Sequence, residues 1–292
     1  MSDHSAIEPT RVASRGTWSA TRAVLRRQAG LIIGGSLLSG FILAAFFMPL
    51  PFDPMMPDPA AVLKPPNSDH WFGTDRFGFD VLARTVVSAR LDLPLAIGGA
   101  LLSMVIGIPL GLMASTKGRI GEAVMRGLDA FQAFPLLILA VAIVTLRGNE
   151  IENVVLAIAI INIPRFMRIV RSEVLSLRES RFVEAAVAFG ATRSRVMFRH
   201  LLPNVSGIIL ALVSLAAAHA IIVIAALSFI GVGIVPPEAS WGAMIQSGAG
   251  NIVSGQWWVS VFPGLAVVIA IVSLHLVADG LEKTFDTSLS DA

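Results

Sequence analysis

His219 stands alone in a long apolar run, Val205–Phe229, where an ionisable ring is either a hydrogen-bonded structural group or part of a proton or solute route. The sequence has five histidines, His4, His70, His200, His219 and His275. None of them pairs at i, i+4, and H-E-x-x-H is absent, so zinc-hydrolase chemistry has no scaffold. Without cysteine there is no thiol nucleophile, Fe–S site or thiolate zinc site. The lysines are Lys64, Lys117 and Lys283, and none sits in G-x-x-x-x-G-K-[ST], so no P-loop is available to hold nucleotide phosphates. The sequence therefore offers no catalytic, cofactor-binding or metal-ligating set, and any energy this chain uses must come from a partner or an ion gradient.

The elements carrying these residues are apolar. Of 292 residues 55% are hydrophobic and only 14% charged, with a mean hydropathy of +0.76. That is more apolar and less charged than a soluble domain, and too hydrophobic for disorder. The net charge of +2 does not point to nucleic acid, because the basic residues cluster between apolar runs without interleaved stacking aromatics. The composition is that of an all-α polytopic membrane protein.

Crossing about 30 Å of hydrocarbon takes about 20 apolar residues. Leu31–Leu50, Leu93–Ala114, Leu128–Leu146, Val205–Phe229 and Trp258–Ala278 qualify, and none contains Lys or Arg. Glu152–Ile169 is weaker, cut by Pro164, Arg165 and Arg168. Counting it as a sixth span puts 17 of the 22 Lys and Arg residues inside, including the eight arginines of Arg165–His200. Leaving it out would turn that loop outward, against the positive-inside rule. Six spans with both termini cytoplasmic follow, and Arg165 and Arg168 are expected to snorkel to the inner interface. The run that opens the first span is too long for a signal peptide and reads as an anchor. Residues 1–30 form a cytoplasmic segment, 31–50 the first span, 51–92 an outer loop, 93–279 the five-span core and 280–292 a cytoplasmic tail. The outer loop is proline-rich and ends in a short surface helix, Asp80–Arg90, with Asp80 as its N-cap. It is either a structural cap or a solute contact.

The inner loop 171–204 carries the most information. From Arg181 it reads RFVEAAVAFGATRSRVMFRHLLPN. Helix formers run to Phe189, and Gly190 is placed to close that helix in the left-handed conformation. Thr192 can cap a second short helix, which Pro203 is expected to halt. Thr192, Arg195 and Arg199 share one side of it, and Met197, Leu201 and Leu202 another. The result is a helix–turn–helix elbow on the inner surface. Either it is a plain basic connector, or the small pair Ala185 and Ala186 and the glycine stop fit it to a groove on another protein.

Glu184, Ala185 and Ala186, then Gly190 after three intervening residues, then Leu202 and Pro203, resemble the EAA motif of permease subunits of ATP-binding-cassette (ABC) importers. HWFGTDRFGFDVLAR (His70–Arg84), FQAFP (Phe131–Pro135), LSFIGVGIVPPEASWG (Leu227–Gly242), WWVSVFPG (Trp257–Gly264) and DGL (Asp279–Leu281) are similar to the second permease of dipeptide/oligopeptide/nickel importers. The resemblance implies a type I, MetI-like transmembrane domain in a bacterial inner membrane, transporting short peptides or similar small solutes. It implies a homologous second permease, two ABC ATPase subunits holding the ATP and Mg, and an extracytoplasmic solute-binding protein. Glu184, Ala185, Ala186, Gly190, Arg195, Arg199 and Pro203 would then form the coupling elbow seated in the ATPase. A stand-alone ion-gradient carrier is the alternative, disfavoured because the middles of the spans carry no Asp or Glu.

Pro94 and Pro109, with Gly98, Gly99, Gly107 and Gly111, and Pro135 in the third run, are either hinges or sites of close helix packing. Candidate gate or pathway residues are Pro135, His219, Ile224, Pro236, Pro237 and Trp241. Ile224 replaces an acidic residue common in the resembled family, and Glu282-Lys283 replaces an Arg-Asp pair. Trp257 and Trp258 read as interface anchors.

Overall fold

The computed structural model describes residues 17–116, 118–235 and 237–290, and among them the regular secondary structure is helical, with one isolated bridge between Thr74 and Asp80. Helices α1 (Thr17–Phe47), α2 (Val81–Ala114), α3 (Arg119–Gln132), α4 (Leu136–Arg147) and α5 (Ile151–Arg178) are followed by the elbow. The elbow comprises α6 (Arg181–Ala188), the turn α7 (Arg193–Arg195) and a π-helical stretch, Val196–Leu201. Helices α8 (Leu202–Ile230), α9 (Trp241–Ala249) and α10 (Trp258–Ser290) complete the chain. Five helices are long and apolar enough to cross a membrane, six if the bent pair α3–α4 makes one span. The helices are those of a protein that crosses a bilayer repeatedly.

Close helix approach organises the bundle. On α2, Gly99, Gly107 and Gly111 face Ile158, Phe166 and Val170 of α5, and a Cβ on any of them would lie within 3 Å of those side chains. These glycines are packing sites, as small residues commonly are between membrane helices. Gly98, one residue away, has open space beside it. Helix α1 lies along α10, with Gly34 against Ser273 and Leu276 and Gly280 against Leu31. The core between α2, α5, α8 and α9 is filled by Ile158, Phe166, Leu212, Ile221, Leu227 and Trp241.

Four expectations about elements change. The surface helix Asp80–Arg90 is not separate from the second span: Asp80 does cap it, accepting from the Ala83 N–H at 2.7 Å, but the helix then runs unbroken to Ala114. Pro94 is accommodated within it, and the buried Val81, Leu82, Ala83 and Ala89 hold its outer half in the bundle. The third run is not one straight span, since α3 and α4 meet at 82°. Pro135 has no N–H and drives Phe134 out of the helical region, which fixes the break there. The fourth run does not break at Pro164; α5 carries it internally and continues as helix to Arg178. Pro203 does not halt the elbow's second helix. It sits in the first turn of α8, where a missing N–H is tolerated, and the π-helical stretch leads straight into it. The Asn204 amide donates to the His200 carbonyl at 2.5 Å, satisfying an acceptor at that junction. Helix α10 likewise runs on through the expected tail to Ser290.

Candidate functional site

The elbow is built from its ends inward. Ser180 precedes α6, and the helix closes with two bonds that define a left-handed C-terminal cap: the Gly190 N–H donates to Val187 O at 2.9 Å and the Ala191 N–H to Ala186 O at 3.0 Å. Gly190 has φ +82°, and the space where a Cβ would go is empty. The glycine is needed for backbone conformation, not for room. Beyond it, Thr192 Oγ1 accepts from the Arg195 N–H at 3.3 Å. Val183, Val196 and Leu201 are buried against Leu112 of α2 and Val170 and Val174 of α5, with Met197 and Leu202 packed beside them. The elbow is thus bolted to the inner ends of two spans.

Its free surface differs from the expected one. Glu184, Ala185, Arg195, Arg199 and Pro203 are exposed and Ala186 partly so. That surface is not simply polar: Phe182, Val187, Phe189 and Phe198 are exposed too, Phe189 at 93%. Helical periodicity missed these aromatics because Phe189 lies past the last helical turn, where no face is defined. Exposed apolar residues grouped in this way mark an interaction surface.

At the outer end the polar groups are buried. Asp92, 2% exposed, accepts from the Trp241 N–H at 2.9 Å and the Ser240 hydroxyl at 3.4 Å, holding the start of α9 to α2. The Trp241 indole is fully buried, donates to Thr85 O at 2.8 Å and meets Phe41 edge-on. Trp241 is therefore a core anchor and not an exposed gate residue. Arg84 is also buried and donates to the carbonyls of Pro54, Pro237 and Glu238, tying α2 to the outer loop and to the 237–240 turn. Sequence reading passed over Asp92 and Arg84 because it assigned both to the outer loop. Pro237 is exposed, whereas Pro236 lies outside the described residues. In the outer loop, His70 bonds Asp80 at 2.9 Å and stacks on Phe52. Burial pushes the Asp75 carboxyl above its ordinary value, against the opposing pull of the Phe77 and Phe79 N–H groups and the Arg84 charge. Trp258 is buried and donates to Thr74 O at 3.1 Å, so it anchors the loop rather than the lipid interface; its neighbour Trp257 remains exposed.

The remaining candidates separate. Ile224 is 1% exposed and packs inside the core, not on an exposed surface. Pro135 is exposed at the α3–α4 break. His219 is partly exposed and bonds Asn162 of α5 at 3.2 Å, while Asn162 donates to Ile158 O at 3.1 Å. The elbow residues come together at the inner surface; the gate candidates do not form one site.

Residues 103–291 match the family described as binding-protein-dependent transport system inner membrane component. The chain is 39% identical over 233 residues to the dipeptide transport system permease protein DppC of Alkalihalophilus pseudofirmus, covering 80% of this chain and 76% of that one. It is 38% identical to a putative peptide transport system permease protein of Brucella suis biovar 1, covering 77% and 76%. It is 37% identical to the glutathione transport system permease protein GsiD of Pectobacterium atrosepticum, covering 77% and 74%. A solved structure of the MetNI methionine ABC transporter, in inward-facing conformations, superposes with a TM-score of 0.57 at 17% identity over 70% of this chain and 96% of that chain. That likeness establishes the fold.

Proposed function

The chain belongs to the binding-protein-dependent transport system inner membrane components, and from that premise we propose that it is the permease half of an ABC importer for short peptides. The names of its relatives, covering dipeptide, peptide and glutathione permeases, support the cargo class. A homologous permease completes the pathway, and an extracytoplasmic binding protein delivers the solute. Two ATPase subunits hold the ATP and Mg and supply the work.

The observation that carries the reading is the elbow. It is rigid at its base, where Val183, Val196 and Leu201 are locked to α2 and α5, and apolar at its exposed tip, Phe189. A lever of that construction transmits displacement: the ATPase groove holds Phe189, Val187 and Phe182, with Glu184, Arg195 and Arg199 at its polar margin. Gly190 holds the bend, so that closure of the ATPases moves the inner ends of α5 and α8 as a unit. The π-helical joint at Val196–Leu201 hands that motion to α8 without a flexible loop between.

The test is uptake of labelled dialanine into proteoliposomes. Uptake is expected with the second permease, ATPases, binding protein and ATP present, and not from this chain alone under a pH gradient. Gradient-driven uptake by the single chain would replace this reading with that of a carrier.

A further inference from the structure

The exposed side chains of α1 and α10 are mostly apolar, Ile33, Leu37, Leu265, Val268 and Val272 among them. The surfaces of α3, α5 and α8 are less so. There Asp129 of α3 and Arg165 and Arg168 of α5 are exposed, and His219 of α8 is partly so. Arg168 pairs with Asp129 at 3.2 Å, whereas Arg165 has no ion-pair partner among the described residues. Arg165 stands one helical turn beyond Asn162 on α5, and Asn162 bonds His219 of α8 at 3.2 Å, so the guanidinium and the imidazole rise from the same seam between the two spans. Ionisable groups on membrane-spanning helices generally face protein or a water-filled cavity, not lipid.

The hydrogen bonds fix what His219 offers. Asn162 uses its amide N–H on Ile158 O, so its oxygen faces the imidazole. His219 must donate from Nδ1, which leaves the Nε2 lone pair of the neutral ring as an acceptor. A guanidinium takes a carboxylate and a nitrogen lone pair accepts an N–H, and the C-terminal residue of a peptide offers both, its carboxylate and amide N–H flanking a single Cα.

We propose that Arg165 and His219 form a transient binding step on the translocation pathway for the C-terminal carboxylate and adjacent amide N–H of the transported peptide. Asn162 is a positioning residue that fixes the imidazole tautomer. The site rests on the reading of this chain as a peptide-type permease.

The absence of native cysteine makes single thiols clean reporters. In membranes holding the assembled transporter, His219→Cys should react with an anionic methanethiosulfonate about tenfold faster than with a cationic one, after correction for their reactivity with free thiol. Arg165→Gln should bring that ratio close to one. At Ile222→Cys, one turn outward with Arg165 and His219 intact, N-acetylalanine should slow labelling and N-acetylalaninamide should not. Two silent thiols, equal rates for both reagents with Arg165 present, or equal protection by the amide would each overturn the proposal. If His219→Cys does not assemble, the Ile222→Cys protein carries both measurements. Labelling requires no uptake: a transporter that passes these tests but moves no dialanine refutes the proposed cargo and not the site, and one that transports but shows no protection refutes the site alone.

Discussion

Asp92 Oδ2 accepts the Trp241 N–H at 2.9 Å across a sequence separation of 149 residues, joining α2 to the first residue of α9. The bond places a carboxylate where the unpaired N–H groups of a helix start need an acceptor. With Trp241 Nε1 on Thr85 O, it makes α2 and the outer short helix one body. Asp92→Ala strands that N–H in a buried site and should lower stability by about 1–3 kcal/mol, read as a fall in the melting temperature of the purified complex. Asp92→Asn keeps an acceptor and should lower it less. Equal effects of the two would show that the acceptor is not what matters.

Phe189 is the bare tip of the elbow. Phe189→Asp leaves the fold of the chain intact, since the side chain touches little, but puts a charge into an apolar contact. Co-purification of the ATPase subunits should fall at least about tenfold while the permease pair stays together. Undiminished co-purification would place the contact elsewhere.

The glycines of α2 are not equivalent. Gly107→Val would put a branched side chain where a Cβ alone already lies 2.5 Å from Phe166, and should destabilise the α2–α5 pair by about 1–3 kcal/mol or more. Gly98→Ala meets open space and should be neutral or slightly stabilising, because alanine favours helix. Thermal unfolding of both variants in the same detergent separates packing from hinge function.

Asp75 gives the outer loop a pH dependence whose sign is fixed. Burial raises its carboxyl above the ordinary 3.8 in the folded state, so the folded chain binds this proton more tightly than the unfolded chain. Its contribution to stability therefore rises as pH falls through the folded value towards 3.8 and is lost as pH rises. Asp75→Asn should flatten that part of the profile, measured as the difference between variant and wild type in thiol accessibility at a loop position. A steeper profile in the variant would contradict the assignment.

Much of the architecture was legible because membrane spans are read from apolar length and the distribution of arginines. The glycine stop at 190 was legible from local chemistry alone. What escaped follows from tertiary context. No sequence pattern distinguishes a surface helix next to a span from one helix of 34 residues, because Arg84 and Asp92 look like loop residues until their buried partners are known. Pro203 reads equally as a stop or as a first-turn residue, and the π-helical stretch before it decides. Trp241 sits in a Gly- and Pro-rich outer segment that suggests a gate, and Ile224 stands where the resembled family often has an acidic residue, yet both are buried. The exposed Phe189 and Phe198 are aromatic residues that composition counts as core.

The Gly190 series is the most direct test of a lever driven by a separate motor. At φ +82° with empty space around it, asparagine should be best tolerated, alanine less and isoleucine least, by about 1–2 kcal/mol of backbone strain for the last two. In proteoliposomes of the assembled transporter, the measurement is dialanine taken up per ATP hydrolysed. Gly190→Ile should insert normally yet lose coupling or ATPase assembly, with Gly190→Asn close to wild type. An unchanged ratio in Gly190→Ile would contradict the account.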